Sequence, residues 1–288
     1  MRSFALLGLV VGLLVVTAVL APWMTWWMIA LFEKPFTLSR VYNRVFEVLL
    51  VIWLVGRRRQ LGLGTAQSIG FRRAGWARDV TTGFAAGLGG LAIALLFCWW
   101  QDGLVPGLRY AETGRVVKNT VQGLASAVVV GTFEEVVFRG VLLRRLCLDF
   151  GRAGGVLVTT ALYGAVHLLH PRSSTAHDVW AGVRRTAEIL APFADPANLP
   201  TFLALFAFGL ILAAARLRSG SLWLPIGIHA AWVAVFRVGR VYFRVRTHPV
   251  WLVGDGWPPL IGSATGAVGL AATAVLLGLY LRRRRRTA

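Results

Sequence analysis

Charged residues are scarce in this chain, and acidic residues are the scarcest of them. Of its 288 residues, 12 are Asp or Glu and 31 are Lys or Arg, so that charged residues make up 15% of the total. Hydrophobic residues reach 57%, and the mean hydropathy is +0.65. A soluble globular domain carries about 25% charged residues. The composition therefore excludes that class and predicts a polytopic membrane protein.

Cysteine is nearly absent, with one residue at Cys98 and another at Cys147. They lie in or at the end of different apolar segments, without a CxxC or other ligand spacing. This excludes a disulfide framework and a cysteine-based metal site. We expect both residues to be small buried hydrophobic side chains.

The excess of basic residues gives a net charge of +19, which is a value also found among nucleic-acid-binding proteins. Here the arginines lie at the ends of apolar segments and do not form a stripe on a soluble surface. Such a distribution is typical of the cytoplasmic loops of membrane proteins. We therefore expect the lipid bilayer, and no nucleic acid, as a partner, and a multi-pass location in the cell membrane.

Long apolar segments recur along the chain, and about 20 residues of helix are needed to cross a bilayer. The predicted fold class is all-α, a polytopic transmembrane helical bundle of about eight spans. With this count the main arginine runs share one side, which places both termini in the cytoplasm. The segments are Phe4–Ala30, Tyr42–Val55, Thr82–Trp100, Val121–Leu143, Gly155–Leu169, Thr201–Ala215, Leu222–Val238 and Pro259–Leu281.

Ionisable residues interrupt the fourth apolar segment, in the sequence GTFEEVVFRG from Gly131 to Gly140. Holding a carboxylate in hydrocarbon costs about 3 kcal/mol on translocon scales, so such residues indicate function. On a helix Glu135 and Arg139 share a face, whereas Glu134 is rotated by about 100° from Glu135. We expect Glu135 to pair with Arg139 and Glu134 to face a cavity as a general base. The alternative is a buried ion network that only fixes helix packing.

Two histidines lie in later apolar segments, His167 in ALYGAVHLLH and His229 in LWLPIGIHAAW. A carboxylate and one imidazole can orient and deprotonate a water molecule, while a second imidazole stabilises the developing oxyanion. This set suffices for peptide-bond hydrolysis without a covalent intermediate. The predicted catalytic residues are Glu134, His167 and His229, and the predicted supporting residues are Glu135, Arg139, Tyr163 and Trp232.

These motifs resemble those of the CPBP, or Abi, family of intramembrane proteases, which includes the type 2 CAAX prenyl endopeptidases. That family is marked by EExxxR, FxxxH and HxxxN on separate transmembrane helices, and the counterparts here begin at Glu134, Tyr163 and His229. The resemblance implies that Glu134 and His167 activate water and that His229 holds the oxyanion. It implies a metal-independent glutamic peptidase without a cofactor, acting on a membrane-embedded or membrane-proximal peptide.

The third motif departs from the family pattern, because Val233 stands where asparagine is expected and has no hydrogen-bond donor. Loss of one oxyanion donor typically costs about 100-fold in rate or more. Trp232 and Asn198 are the candidate substitutes. The second motif has Tyr163 where the family has phenylalanine, which is a milder change. We expect the hydroxyl of Tyr163 to orient His167.

The resemblance covers residues from about Val121 to Val238, and it divides the chain into three predicted parts. Residues 1–118 form N-terminal transmembrane helices, residues 119–240 the catalytic helical core, and residues 241–288 a C-terminal transmembrane helix with a basic tail. The polar insertion between His170 and Pro200 contains an amphipathic stretch, Val179 to Leu190. We expect it to form a helix that either lies at the membrane surface or caps the bundle.

Three other functions remain open on the sequence. His167 and His170, with Glu134 and His229, would make a zinc site with an open position. The same buried ionisable residues would also serve a proton-coupled or ion-coupled transporter, although paired half-repeats are missing. A non-catalytic scaffold or immunity protein with this fold is the third alternative, which the valine at Val233 favours.

Overall fold

The computed structural model of the protein describes residues 3–61, 64–168, 178–188, 191–246, 249–254 and 261–286. A π-helical turn, Val136–Leu142, joins two long helices, and a 3-10 turn, Pro196–Asn198, precedes another. Two three-residue strands, β1 (Leu104–Pro106) and β2 (Phe243–Val245), pair antiparallel. The helices are α1 (Ser3–Phe32), α2 (Leu38–Gly56), α3 (Ala66–Ile69), α4 (Trp76–Trp100), α5 (Thr113–Glu135), α6 (Leu143–His167), α7 (Ala181–Glu188), α8 (Ala191–Ala194), α9 (Leu199–Ser219), α10 (Trp223–Tyr242), α11 (Val250–Val253) and α12 (Ala264–Arg286).

The predicted fold class is confirmed: the chain is an all-α, multi-pass membrane protein. Each predicted apolar segment falls mainly in one long helix, α1, α2, α4, α5, α6, α9, α10 or α12. In the described residues, five helices are both long and apolar enough to cross a bilayer: Val11–Phe32, Trp76–Trp100, Pro196–Ser219, Trp223–Tyr242 and Ala264–Arg284. The count of eight is therefore approximate, because α2, α5 and α6 carry polar and charged residues within their length.

One compact unit consists of Met1–Gly64 and Val166–Asn198. Helix α7 packs on α1 within this unit, and Gly182 meets the backbone carbonyl of Ala18 so closely that no Cβ atom would fit. The hydroxyl of Tyr42 lies 2.9 Å from Oγ1 of Thr186. The predicted amphipathic stretch is thus a helix over Ala181–Glu188, held by contacts with α1 and α2 of its own unit.

The second compact unit consists of Thr65–Ala165 and Leu199–Ala288. Glycines of α4 bring its backbone against two neighbours, as is usual where helices pack in a bilayer. A Cβ atom at Gly87 would lie 2.8 Å from the carbonyl oxygen of Ile228 in α10, and one at Gly90 would overlap Thr273 in α12. Helix α4 is therefore the element on which α10 and α12 are assembled.

The connection from α5 to α6 has two irregular points that the sequence analysis did not predict. The π-helical turn Val136–Leu142 begins directly after Glu135, and π-turns inside helices are often found at functional sites. Gly151 then breaks α6 with φ 71° and ψ 172°, a conformation that glycine adopts without steric cost. The helix is kinked at Gly151, between the fourth and fifth predicted spans.

The cysteines are both free. Cys98 is fully buried, as expected, and Cys147 is partly exposed. The predicted division of the chain after residues 118 and 240 is based on the positions of the motifs, whereas the two compact units are defined by contacts. The predicted division therefore stays a prediction.

Candidate active site

The EExxxR motif forms a buried ion pair at the end of α5. Nη1 of Arg139, in the π-helical turn, donates to Oε1 of Glu135 over 2.9 Å, and the two side chains are 1% and 0% exposed. The pairing predicted from their spacing is confirmed. Because both charges are removed from water, loss of either partner would leave the other uncompensated.

Arg139 also connects this motif to two other helices. Its Nη2 donates to the carbonyl oxygen of Gly209 in α9 over 3.3 Å. Its guanidinium carbon lies 4.5 Å from the ring centroid of Tyr163 in α6, within the range of a cation–π contact. Arg139 therefore fixes the orientation of Glu135 relative to the helices that carry the second motif and the aromatic residues of α9.

His229 approaches the same carboxylate from α10. Gly131 of α5 lies against this helix, since a Cβ atom at Gly131 would be 3.1 Å from the backbone nitrogen of Ala230. This close approach places Nδ1 of His229 2.9 Å from Oε1 of Glu135. A carboxylate that accepts from Arg139 can only accept from the imidazole as well, so we assign the Nδ1 proton to His229.

Glu134 lies on the other side of the same imidazole. Its Oε2 atom is 3.8 Å from Nε2 of His229, and its side chain is 20% exposed whereas that of His229 is 3% exposed. The two glutamates thus lie next to different nitrogens of one ring, Glu135 next to Nδ1 and Glu134 next to Nε2. Glu134 is the more accessible carboxylate, in agreement with the rotation expected from helix geometry.

Aromatic side chains enclose the imidazole of His229. Phe208 in α9 packs edge-on at 5.6 Å between ring centroids, and Tyr163 packs edge-on at 6.1 Å. Phe208 also stacks on Trp232 at 4.8 Å, so one ring holds two residues of the third motif. Phe208 was not singled out from the sequence, because nothing distinguishes it there from other phenylalanines in apolar helices.

Several buried polar atoms near this cluster have no hydrogen-bond partner among the described residues. They include Oε2 of Glu135, Nε of Arg139, Oγ1 of Thr160 and Nε1 of Trp232. Buried polar atoms without partners are rare in folded proteins and usually indicate a place for a bound polar group. These atoms include hydrogen-bond donors, such as Nε1 of Trp232, and an acceptor, Oε2 of Glu135. A water molecule or a peptide group could bind to both kinds of atom.

His167 is the last residue of α6, one turn beyond Tyr163. It belongs to the segment that groups with the first compact unit, and its placement beside Glu134 and His229 stays a prediction. His170 lies outside the described residues.

Asn198 and Trp232, the two predicted substitutes for the missing asparagine, differ in whether their side-chain N–H groups already make a hydrogen bond to the described residues. The side-chain amide of Asn198 donates to the carbonyl oxygen of Pro192 over 3.0 Å, within its own loop. Trp232 is 4% exposed and lies one turn from His229 on α10. Val233 is half-buried on the same helix and has no donor. Trp232 is therefore the candidate donor next to the imidazole.

The segment that carries this site is similar in sequence to a known protein family. Residues 116–235 match the model of a family described as type II CAAX prenyl endopeptidase Rce1-like. This segment is Rce1-like. The predicted resemblance to the CPBP family is thereby confirmed, and the Rce1-like segment contains all three motifs. No curated protein and no solved structure matches the chain.

The matched segment is thus similar to a family described as endopeptidases. Of the described helices that contribute to it, Pro196–Ser219 and Trp223–Tyr242 are long and apolar enough to cross a bilayer. The orientation of the termini stays a prediction. In the part of the chain that the structure describes, no three His, Cys, Asp or Glu side chains are grouped to hold a metal ion. Because His170 is outside that part, the zinc alternative is not tested.

Proposed function

We propose that this protein is an intramembrane endopeptidase that hydrolyses a peptide bond of a membrane-associated peptide. The observation that carries the proposal is the imidazole of His229 held between two carboxylates, with Glu135 at Nδ1 and Glu134 at Nε2. A carboxylate that faces an oriented imidazole in a largely buried place is an arrangement for general base catalysis. The Rce1-like match over residues 116–235 supports the same class of reaction.

Glu134 is the general base in this mechanism, assisted by His167. A water molecule held by Glu134 attacks the scissile carbonyl carbon, and its proton passes to the Glu134 carboxylate. When the tetrahedral intermediate collapses, the carbon–nitrogen bond breaks and protonated Glu134 gives its proton to the leaving amine. The carboxylate is thereby regenerated, and no covalent enzyme intermediate or cofactor takes part.

His229 stabilises the oxyanion of the tetrahedral intermediate through Nε2. Its Nδ1 proton is committed to Glu135, so Nε2 donates to an oxyanion only when the ring is doubly protonated. Glu135, fixed by Arg139, accepts the Nδ1 proton of that ring. The second donor in the proposal is the indole N–H of Trp232, which is buried and makes no hydrogen bond to the described residues. In a site closed to water, such donors are effective because competing solvent is absent.

The test is cleavage of quenched fluorescent peptides, with and without a prenyl group, by the full chain in proteoliposomes. We expect cleavage by the wild type and a loss of at least about 100-fold in Glu134→Gln, a range typical of a lost general base. Glu112→Gln is the matched control, since Glu112 precedes the same helix and its side chain is 68% exposed. Equal rates in Glu134→Gln and the control would contradict the assignment of the base.

A non-catalytic relative is the second candidate, and Val233 favours it because the third motif lacks one donor. Such a protein would hold a peptide without cutting it. Photocrosslinking of the same peptides by the wild type, without cleavage over the full time course, would establish this alternative.

A further inference from the structure

Three arginines of the second compact unit converge on the loop that follows α3. Nη1 of Arg144 donates to the carbonyl oxygen of Ser68 over 3.1 Å, and Nη2 of Arg216 donates to that of Ile69 over 3.3 Å. These carbonyls end α3. The third arginine, Arg72, follows the loop directly, and its backbone nitrogen donates to Gly70.

Two glycines with positive φ make room for the guanidinium groups. Gly70 has φ +109°, and a Cβ atom there would lie 2.6 Å from Nη2 of Arg216. Gly220, at the end of α9, has φ +67°, and a Cβ atom there would lie 2.9 Å from Nη2 of Arg72. The guanidinium groups therefore rest directly on the backbone of two loops, which meet where the amide of Leu222 donates to Gly70 over 2.8 Å.

Arg72, Arg144 and Arg216 form a basic cluster, in which Arg216 is half-buried while Arg72 and Arg144 are exposed. Arg72 and Arg144 are the charges that act on Arg216, and the ion pairs of the described ranges involve neither Arg72 nor Arg216. The Nε atom of Arg216 is buried and has no hydrogen-bond partner there. Like charges repel most strongly where water is partly excluded, as it is around Arg216. A bound anion would relieve this repulsion.

Capping of helix ends explains only part of this arrangement. Arginines near a helix C-terminus bind its last carbonyl groups, and Arg144 and Arg216 do so at α3. The guanidinium of Arg216 carries five N–H donors, of which the carbonyl of Ile69 uses one. Capping accounts neither for Nε of Arg216 nor for the side chain of Arg72, which lies on Gly220.

Aromatic residues beside the cluster indicate the depth at which it lies in the membrane. The indole nitrogen of Trp223 donates to the carbonyl oxygen of Arg72 over 3.0 Å. Phe71 and Trp76 pack on Trp223 with ring centroids 4.8 Å and 5.5 Å away. Tryptophans are enriched at the level of the lipid headgroups, and they lie here at the ends of apolar helices. The basic cluster thus lies where lipid phosphates are found.

We propose that Arg72, Arg144 and Arg216 bind the phosphate group of an anionic membrane lipid. Arginine suits this ligand because its planar fork matches phosphate oxygens in a bidentate geometry. A bound lipid would join the end of α3, the end of α9 and the start of α4. The inference is independent of the proposed peptidase activity, because it involves none of the residues assigned to that activity.

The test is the thermal unfolding midpoint of the purified full chain in detergent, titrated with phosphatidylglycerol, phosphatidylcholine or inorganic phosphate. A ligand that binds the folded state alone raises this midpoint. We expect phosphatidylglycerol to raise it and phosphatidylcholine to leave it unchanged. In Arg72→Gln the half-saturating concentration should rise about tenfold, the usual effect of losing a charged hydrogen bond.

Arg73→Gln is the matched control, because it removes the same charge from the adjacent exposed residue and should shift half-saturation by less than about threefold. Arg216→Lys, which retains the charge and loses the planar fork, should weaken binding in the same direction as Arg72→Gln. Equal affinities in Arg72→Gln and Arg73→Gln would overturn the site. A response to inorganic phosphate with none to phosphatidylglycerol would overturn the lipid as its source.

Discussion

Nδ1 of His229 lies 2.9 Å from Oε1 of Glu135, the carboxylate oxygen that also accepts from Arg139. The second glutamate of the motif is therefore more than the partner of an arginine. It fixes the tautomer and direction of an imidazole whose other nitrogen faces Glu134. Histidines whose far nitrogen is held by a carboxylate are oriented in this way in many active sites.

Glu135→Gln should therefore act on turnover more than on substrate binding. The amide retains the shape of the side chain, but its neutral oxygen is a weaker acceptor for the Nδ1 proton of His229 than the carboxylate is. We expect kcat to fall about 100-fold, as for other lost electrostatic contacts of a transition state, while KM changes less than about threefold. The measurement is kcat and KM for the same fluorescent peptides, normalised to the amount of folded protein. A parallel loss of folded protein with unaltered kcat per folded molecule would make Glu135 purely structural.

Arg139→Ala should destabilise the protein strongly, because it leaves the Glu135 carboxylate buried without its partner. Breaking a buried ion pair costs about 3–5 kcal/mol. The control is Arg145→Ala, which removes another i,i+4 pair whose side chains are partly exposed, at 28% and 22%. Pairs near the surface contribute about 0–1 kcal/mol, so the loss should be clearly smaller. Denaturant unfolding in detergent measures both. Similar losses in the two variants would show that burial of the Glu135–Arg139 pair has no special effect.

The difference between these two partners of Glu135 shows what a sequence can predict. The Arg139 contact follows from the repeat of a single helix, so the spacing of four residues predicted it. The His229 contact joins residues 94 positions apart, and it depends on the approach of α5 to α10 at Gly131. Likewise, the apolar segments predicted the long helices. No residue type in the sequence predicted the π-helical turn after Glu135 or the contact of Phe208 with His229.

Val233→Asn should raise activity if a second oxyanion donor is limiting. Restoring one such donor is worth up to about 100-fold in rate. Trp232→Phe should lower activity in the wild type, since it removes the indole N–H and keeps a ring against Phe208. In the Val233→Asn background the same change should have a smaller effect, because asparagine then supplies the donor. A double-mutant cycle of kcat/KM measures this coupling, and strict additivity would exclude a shared role.

Metal-independent hydrolysis is expected to survive chelation. Incubation with EDTA should leave the cleavage rate of the wild type within about twofold, whereas a catalytic zinc site loses its activated water when the metal is removed. The experiment includes re-addition of zinc. Loss of activity with EDTA and recovery with zinc would favour a site built from His167, His170, Glu134 and His229 over the glutamate mechanism.

Gly131→Ala should reduce activity although the site residues are unchanged. The added methyl group would lie 3.1 Å from the backbone nitrogen of Ala230 and 3.3 Å from its Cα atom. Rigid backbone must therefore move by a few tenths of an ångström. That movement separates α5 from α10 and lengthens the hydrogen bond from His229 to Glu135, so kcat should fall about tenfold or more, as small misplacements of catalytic groups do.

Gly114→Ala is the matched control on the same helix, since nothing lies within 4 Å of a Cβ atom there. Alanine is the better helix former by about 1 kcal/mol, so this variant should be as stable as the wild type or more so, with unchanged kcat. Comparison of the two variants thus distinguishes the effect of helix propensity from the effect of the distance between α5 and α10. Equal activity in Gly131→Ala and Gly114→Ala would mean that the distance between α5 and α10 does not set the geometry of the site.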